Sequence, residues 1–243
     1  MNPKIAVIVP AWREERILPR MLGRVPARAD LVVVVDDGSP DRTFEVATAC
    51  AAKDPRIVAV RLVTNAGVGA AIVRGYEEAL ARGADILVVM AGDDQMDPAD
   101  FDAVVEPITS GRADYVKGNR LAHPASRQMP LVRRAGTRIL AKLTAVVAGL
   151  DQLDDAQCGY TALSATAARR LPLERLFPRY GYPNDMILRV CEAGLMIEEV
   201  TVAPVYADEV SGLAIHRVVQ PISKILIRGA TRRLFRRLRA NDR

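Results

Sequence analysis

Aromatic residues, histidine and cysteine are scarce in this chain, and it has no long apolar run. Aromatics make up 5% of 243 residues, too few for a nucleic-acid surface of stacked rings between basic side chains. The histidines, His123 and His216, and the cysteines, Cys50, Cys158 and Cys191, lack the spacing of a metal site. Three thiols leave one over from any disulfide framework, so all three read as packing residues in a reducing cytosol. His216 adjoins the stretch 206–212, a candidate loop over a ligand. The nearest approach to a membrane span, 139–150, contains Lys142 and falls short of the roughly 20 apolar residues a bilayer needs. The opening residues show no apolar signal region with a small-residue cleavage site. The expectation is a cytoplasmic protein that does not cross a bilayer and binds no nucleic acid.

Charge is unevenly placed. Residues 213–243 carry +8 of a chain whose net charge is +5, so the preceding part carries −3. On a helical projection of this tail, Ile227, Ala230, Leu234 and Leu238 share one side, with Arg228, Arg232, Arg236 and Arg239 on the other. A basic amphipathic helix of this kind can lie on anionic headgroups or pack on its own domain.

Half of the residues are hydrophobic, enough for one large core. Apolar runs at 5–9, 31–35, 57–63, 86–90 and 115–116 predict strands, a short strand runs to Leu163, and 196–205 predicts one or two more. Helical spacing covers 14–22, 43–51, 68–81, 98–108, 131–150 and the neighbourhood of 186–193. Such alternation implies an α/β domain, a Rossmann-like, mostly parallel central sheet flanked by helices. No linker, repeat or low-complexity stretch interrupts it, so the expected organisation is a single domain over 1–212 with a basic segment over 213–243.

Ligands of such sheets sit beyond the carboxyl ends of the strands, and two strands here end in acids. VVVV at 32–35 opens into Asp36, Asp37, Gly38, Ser39 and Asp41, and ILVVM at 86–90 opens into AGDDQMDP. Carboxylates there can accept from a base or ribose, while Asp41 and Asp97 read as helix caps. Asp93 and Asp94, with Gln95, are hard oxygen donors suited to Mg²⁺ or Mn²⁺ shared with substrate phosphates. NAGVGAA, with Asn65 and Gly69, lies between a strand and a helix, where a backbone can approach a phosphate. Arg120, Arg133 and Arg134 are candidates to grip an anionic acceptor. Asp154, Asp155, Gln157, Gly159, Tyr160, Tyr182, Asn184 and Asp185 add polar groups near element ends.

Taken in order, PAWREE, DDGSPD, NAGVGAA, AGDDQMDP, GNR at 118–120, QCGY at 157–160 and PND at 183–185 resemble family 2 glycosyltransferases over roughly residues 4–210. The branch resembled is that of dolichol-phosphate mannose synthase and bacterial polyprenyl-phosphate glycosyltransferases. The resemblance implies a GT-A fold in which Pro10, Ala11, Glu14 and Asp37 contact the nucleotide, with Asp36 near it. It implies that Asp93 and Gln95 bind the divalent ion, that Arg120 and Arg133 or Arg134 face the acceptor phosphate, and that Gln157 to Tyr160 and Asp185 line the sugar pocket. The family turn usually reads Asp-x-Asp-Gly-Gln, whereas here Ala91 takes the first acidic position and Asp94 that of the glycine. Either Asp94 replaces the missing ligand, or the metal is held more weakly, or the sugar donor is seated differently.

These residues point to an inverting, metal-dependent transfer from a UDP- or GDP-sugar to a lipid phosphate, with Asp93, Arg120 and Asp185 carrying the chemistry. Such an enzyme would be peripheral at the inner face of a membrane. Asp185 would orient an ionised acceptor phosphate, or act as base toward a hydroxyl. The competing readings are a transferase acting on a saccharide or diacylglycerol, and a non-catalytic nucleotide-sugar binder suggested by Ala91. A sugar nucleotidyltransferase would carry a glycine-rich basic loop after the first strand, and PAWREE is not one.

Overall fold

The computed structural model describes residues 2–205 and 215–241, with side chains over 2–205 and 220–235. The stretch 206–212 and the His216 side chain, named above, lie outside the described residues. Seven strands form one sheet: β1 Ile5–Ala11, β2 Leu31–Asp36, β3 Ile57–Arg61, β4 Ile86–Val89, β5 Tyr115–Asn119, β6 Thr161–Ser164 and β7 Ile197–Thr201, in the order β3-β2-β1-β4-β6-β5-β7. β6 runs antiparallel to both β4 and β5, and every other pair is parallel, so six strands share one direction.

Because β-branched residues dominate β1 and β2, both faces of the sheet can be buried under helices. Successive residues of β2 alternate between two cores. Val33 and Val35 join Ile8, Tyr76 and Ile187 on one side, and Val32 and Val34 join Val7, Phe101 and Val104 on the other. Helices α3 Val68–Ala81, α5 Leu131–Ala148 and α7 Tyr182–Glu192 supply the first layer, and α1 Leu18–Gly23, α2 Thr43–Ala51 and α4 Phe101–Thr109 the second. A short α6 spans Ala165–Arg170.

Several boundaries differ from the sequence expectation for local reasons. β3 stops at Arg61, and Val63 beyond it is fully exposed. α7 begins four residues before 186 because Pro183 fits the first turn, where no N–H is required. α6 is capped by Ser164, whose hydroxyl accepts the Ala167 N–H at 3.1 Å, and is too short to show a period in the sequence.

The last helix, α8 Ile215–Asn241, packs on α5 and α7. Its buried side carries Ile222, Ile225 and Gly229, while Ile227 and Leu234 remain 66% and 58% exposed. Arg233 donates from Nη1 to the carbonyl oxygens of Val146 and Val147 at 2.7 and 3.2 Å, capping the carboxyl end of α5. The tail is thus docked on the domain and still presents an apolar stripe outward.

The reversed strand depends on a close approach at Gly118. A Cβ there would meet Cys158 Sγ and Val202 at 2.9 Å and the Tyr160 carbonyl oxygen at 3.0 Å. Replacing Gly118 by Ala should therefore destabilise the protein by about 1–3 kcal/mol, read from urea denaturation. An unchanged midpoint would show that β5 and the 157–160 segment can separate freely.

Candidate active site

The carboxyl ends of β1, β2 and β4 form one edge. Ala11 stands opposite Asp36, the Ala11 carbonyl accepts the Asp37 N–H at 2.9 Å, and the Pro10 carbonyl accepts the Gly92 N–H at 3.1 Å. Gly92 in turn lies against Glu14, since a Cβ built on it would be 3.5 Å from Glu14 Cγ. Pro10, Ala11, Glu14, Asp36, Asp37 and the turn at 91–97 are therefore brought together. Trp12, 45% exposed, sits at this edge with the Arg13 guanidinium 4.6 Å above its ring.

Both acids after β2 are buried and braced. Asp36 accepts from Ser39 N at 3.1 Å and pairs with Arg61 Nε at 3.2 Å. Asp37 accepts from Ala66 N and Gly67 N, both at 2.8 Å, which ties the β2 turn to the 65–71 loop. Asp97 caps its turn by accepting Ala99 N at 3.0 Å, as its spacing predicted, whereas the N-cap of α2 is Arg42 and Asp41, one residue earlier, accepts from Thr43 N at 3.2 Å.

The phosphate-cradle expectation for Asn65 and Gly69 needs correction. Gly69 is buried under the Phe177 carbonyl, Ala70 N donates to the Pro178 carbonyl at 3.1 Å, and Asn65 Oδ1 accepts from Arg179 Nη1 at 3.1 Å. The 177–182 segment occupies the amino end of α3 where a phosphate would have to enter, so the glycine serves packing.

In the turn after β4, Asp93 is half-buried and its Oδ1 accepts Gln95 N at 3.1 Å, while the Gln95 side chain is exposed. Asp94 does not supply the missing ligand. Its carboxylate is buried and held by Arg20 Nε at 2.8 Å and Arg24 Nη1 at 2.7 Å, both from α1. Two guanidiniums on its two oxygens leave it unsuited to a cation. Among the described residues, no group of three His, Cys, Asp or Glu side chains is placed to hold a metal by itself.

The second half of the edge comes from β5 and β6. Since β6 is reversed, the residues preceding it arrive at the carboxyl ends of its neighbours. Arg120 donates from Nε and Nη2 to Asp155 at 2.8 and 3.1 Å, a bidentate pair in which Asp155 is fully buried. Burial pushes the Asp155 carboxyl up, but the Arg120 hydrogen bonds and charge outweigh it and its pKa lies below the ordinary value. Lys117 is fully buried and donates to the Cys158 carbonyl, and desolvation lowers its pKa. Gln157 Nε2 donates to Asn184 Oδ1 at 2.6 Å, and Asn184 Nδ2 to Thr144 Oγ1 at 2.8 Å, linking α5, α7 and the QCGY turn. Gly159 abuts Met96, a built Cβ lying 2.8 Å from Met96 Cε, so the two turns touch.

One further expectation is corrected. Tyr160 points into the core with Phe101 and Val104 rather than into a pocket, and burial raises its pKa. Asp185 accepts Phe177 N at 3.0 Å and Arg189 Nε at 3.1 Å, with Arg232 Nη2 of α8 at 3.7 Å. Its Oδ2 takes both hydrogen bonds and holds α7, Oδ1 faces the Arg232 guanidinium, and the neighbouring Asn184 is the residue that meets Gln157. Arg133 and Arg134 lie in the first turn of α5, exposed and half-buried respectively. Arg20, Arg24, Arg179 and Arg232 carry no motif signal, although Arg20 and Arg24 are spaced to share one helix face. A shallow cleft between β7 and the 150–154 segment, lined by Asp154, Glu198 and Glu199, is acidic and ill-suited to an anionic ligand.

Residues 6–151 match the model of glycosyl transferase family 2. The chain belongs to glycosyl transferase family 2. Among its relatives in this family, the undecaprenyl-phosphate mannosyltransferase of Micrococcus luteus is 32% identical over 209 residues, covering 82% of each chain. The UDP-N-acetylglucosamine–dolichyl-phosphate N-acetylglucosaminyltransferase of Methanococcus voltae is 28% identical over 218 residues, 84% of this chain and 86% of that one. The crystal structure of Mycobacterium tuberculosis glucosyl-3-phosphoglycerate synthase in complex with Mn²⁺, UDP and glucosyl-3-phosphoglycerate superposes with a TM-score of 0.71 at 21% identity, over 95% of this chain and 81% of that one. That likeness bears on the fold and agrees with the GT-A arrangement of this family 2 domain.

The Arg120–Asp155 pair yields a pH-dependent prediction. The pair's contribution is complete above the ordinary aspartate value of 3.8 and is lost as the pH falls through the lower, folded value. Asp155→Asn should cost about 3 kcal/mol at neutral pH by stranding a partly buried guanidinium, and the cost should shrink in acid. Denaturant titrations of both proteins at neutral and acidic pH measure this, and a pH-independent difference would contradict it.

Proposed function

We propose that this chain is an inverting glycosyltransferase that moves a sugar from a nucleoside-diphosphate donor to a lipid phosphate such as polyprenyl phosphate, while lying peripherally on the inner face of a membrane. The observation that carries this reading is the convergence on one edge of PAWREE and the acid-tipped turns with the Arg120–Asp155 and Gln157–Asn184 pairs. The names of the relatives support the acceptor class.

Pro10, Ala11, Glu14 and Trp12 form the wall along which the nucleotide lies, and Asp36 and Asp37 brace it from behind. Asp93 and Gln95 provide one or two hard oxygens, which fits Mg²⁺ or Mn²⁺ completed by the donor's own phosphates. When bound there, such an ion would supply positive charge to offset that left on the departing diphosphate. Arg120, fixed in plane by Asp155, supplies positive charge toward the acceptor phosphate, with Arg133 and Arg134 as a second basic site. An ionised phosphate needs no strong base, which agrees with Asp185 being committed to Arg189. Attack from the face opposite the diphosphate inverts the anomeric centre.

Membrane contact is supported by two exposed apolar stripes. On α5, Val132, Ile139, Leu143 and Val146 recur along the helix side opposite the buried Thr137, Ala141 and Thr144, at 78%, 61%, 52% and 74% exposure. Ile227 and Leu234 add the stripe on α8, and Arg138, Lys142 and Arg228 flank the two. Apolar residues bordered by cations fit an anionic headgroup layer. No helix among the described residues is long and apolar enough to cross a membrane.

Purified protein incubated with UDP- and GDP-sugars, MnCl₂ or MgCl₂ and a polyprenyl phosphate should give a lipid-linked sugar of inverted anomeric configuration, scored by mass spectrometry and NMR. Glycosylation of a saccharide or diacylglycerol alone would move the acceptor class, and nucleotide binding without turnover would make the chain a binder. Ile139→Glu with Leu143→Glu should cut cosedimentation with phosphatidylglycerol vesicles about tenfold or more, given roughly 1.5–3 kcal/mol per buried side chain. Undiminished recovery would remove α5 from the contact.

A further inference from the structure

We propose that Asp94, clamped by Arg20 and Arg24, is a positioning residue that holds the Asp93 turn in the shape that receives the donor-bound cation. The inference rests on the donor site proposed above and goes beyond it, because Asp94 acts through its arginine partners and the backbone of the turn.

Three observations carry it. Asp94 has φ +58°, the left-handed region that side-chain-bearing residues adopt at a cost, Asp and Asn less than most. Glycine is the residue that adopts it freely, so an aspartate here must contribute something glycine does not. That contribution is ionic. The buried carboxylate takes Arg20 Nε at 2.8 Å and Arg24 Nη1 at 2.7 Å, and Arg24 reaches on to Asp97 Oδ1 at 3.8 Å, so both flanks of the turn are tied to α1. Arg20 and Arg24, one helical turn apart, form a fork that accepts the carboxylate from one side.

The third observation is Ala91. With a methyl group in place of a carboxylate at the start of the turn, Asp93 has little help in fixing a cation, and the direction of its carboxylate becomes decisive. The clamp fixes that direction from outside: Asp94 is locked to α1, Gly92 N is bonded to the Pro10 carbonyl, and Asp93 lies between them with its Oδ1 on Gln95 N. The acid lost as a ligand is thus offset by an acid that stiffens the turn carrying the remaining one.

Asp94→Gly is the informative variant, since glycine adopts the backbone conformation without strain and removes only the ionic clamp. Mn²⁺ binding in the presence of UDP or GDP, followed by the loss of the free-ion electron paramagnetic resonance signal, should weaken roughly tenfold in Asp94→Gly. Nucleotide binding without cation, read from the fluorescence of Trp12, the chain's single tryptophan, should stay unchanged. The double variant Arg20→Met/Arg24→Met should show the same cation defect, and the triple variant should be no worse than Asp94→Gly, because the three groups act as one. Wild-type Mn²⁺ binding by Asp94→Gly alongside its loss in Asp93→Asn would overturn the clamp and leave the donor site standing, as would losses that simply add in the triple variant. Wild-type cation binding by Asp93→Asn would instead remove the donor-site reading, and the clamp with it.

Discussion

Two backbone carbonyls at the end of β1 hold the proposed donor site together. Pro10 and Ala11 each accept one N–H, from Gly92 and Asp37, and so draw the acid-tipped turns of the flanking strands to a common line. Strand spacing then does the rest. Neighbouring strands lie about 5 Å apart, so the two turns sit within reach of one small charged ligand without any long loop. The cost of gathering carboxylates at a buried edge is met by local partners: Asp36 has Arg61, Asp37 has two N–H donors, and Asp94 has two arginines. Each of these acids shapes the edge, and Asp93 lies in the turn beside them.

The opposite half of the edge follows from the direction of one short strand. Were β6 parallel to its neighbours, Gln157 and Gly159 would lie at the far end of the sheet. Its reversal sets them beside Met96 and Asn184. Gly118 permits this pairing by giving Cys158 and Tyr160 room, and buried Lys117 fixes the Cys158 carbonyl behind it. The Arg120–Asp155 pair therefore rests on a packing constraint two residues upstream.

Much of this was legible in the sequence for identifiable reasons. β1, β2 and β4 are buried on both faces and show as unbroken apolar runs, and the acids that end them stand out because buried charge is rare. The direction of β6 was not legible, since four residues of moderate hydrophobicity carry no sign of which way they run. The role of Asp94 was hidden for another reason. Its partners, Arg20 and Arg24, lie 74 and 70 positions away, and a local pattern cannot show that a carboxylate is already taken. Gly69 and Tyr160 misled similarly, because a glycine beside a helix and a tyrosine in a motif look alike whether they face a ligand or a core. The apolar side of the tail was readable from its period, but the matching stripe on α5 emerged only when the other side of that helix was seen to be buried.

The two halves of the edge are built from separate stretches of chain, one spanning Pro10 to Asp97 and the other Gly118 to Asp185, and they are joined by the β4–β6 ladder, by the 177–179 segment on the 65–70 loop and by Met96 against Gly159. Such a junction ties the halves together. On the function proposed above, a substitution made in the second stretch to change the recipient would therefore be felt by the turns of the first.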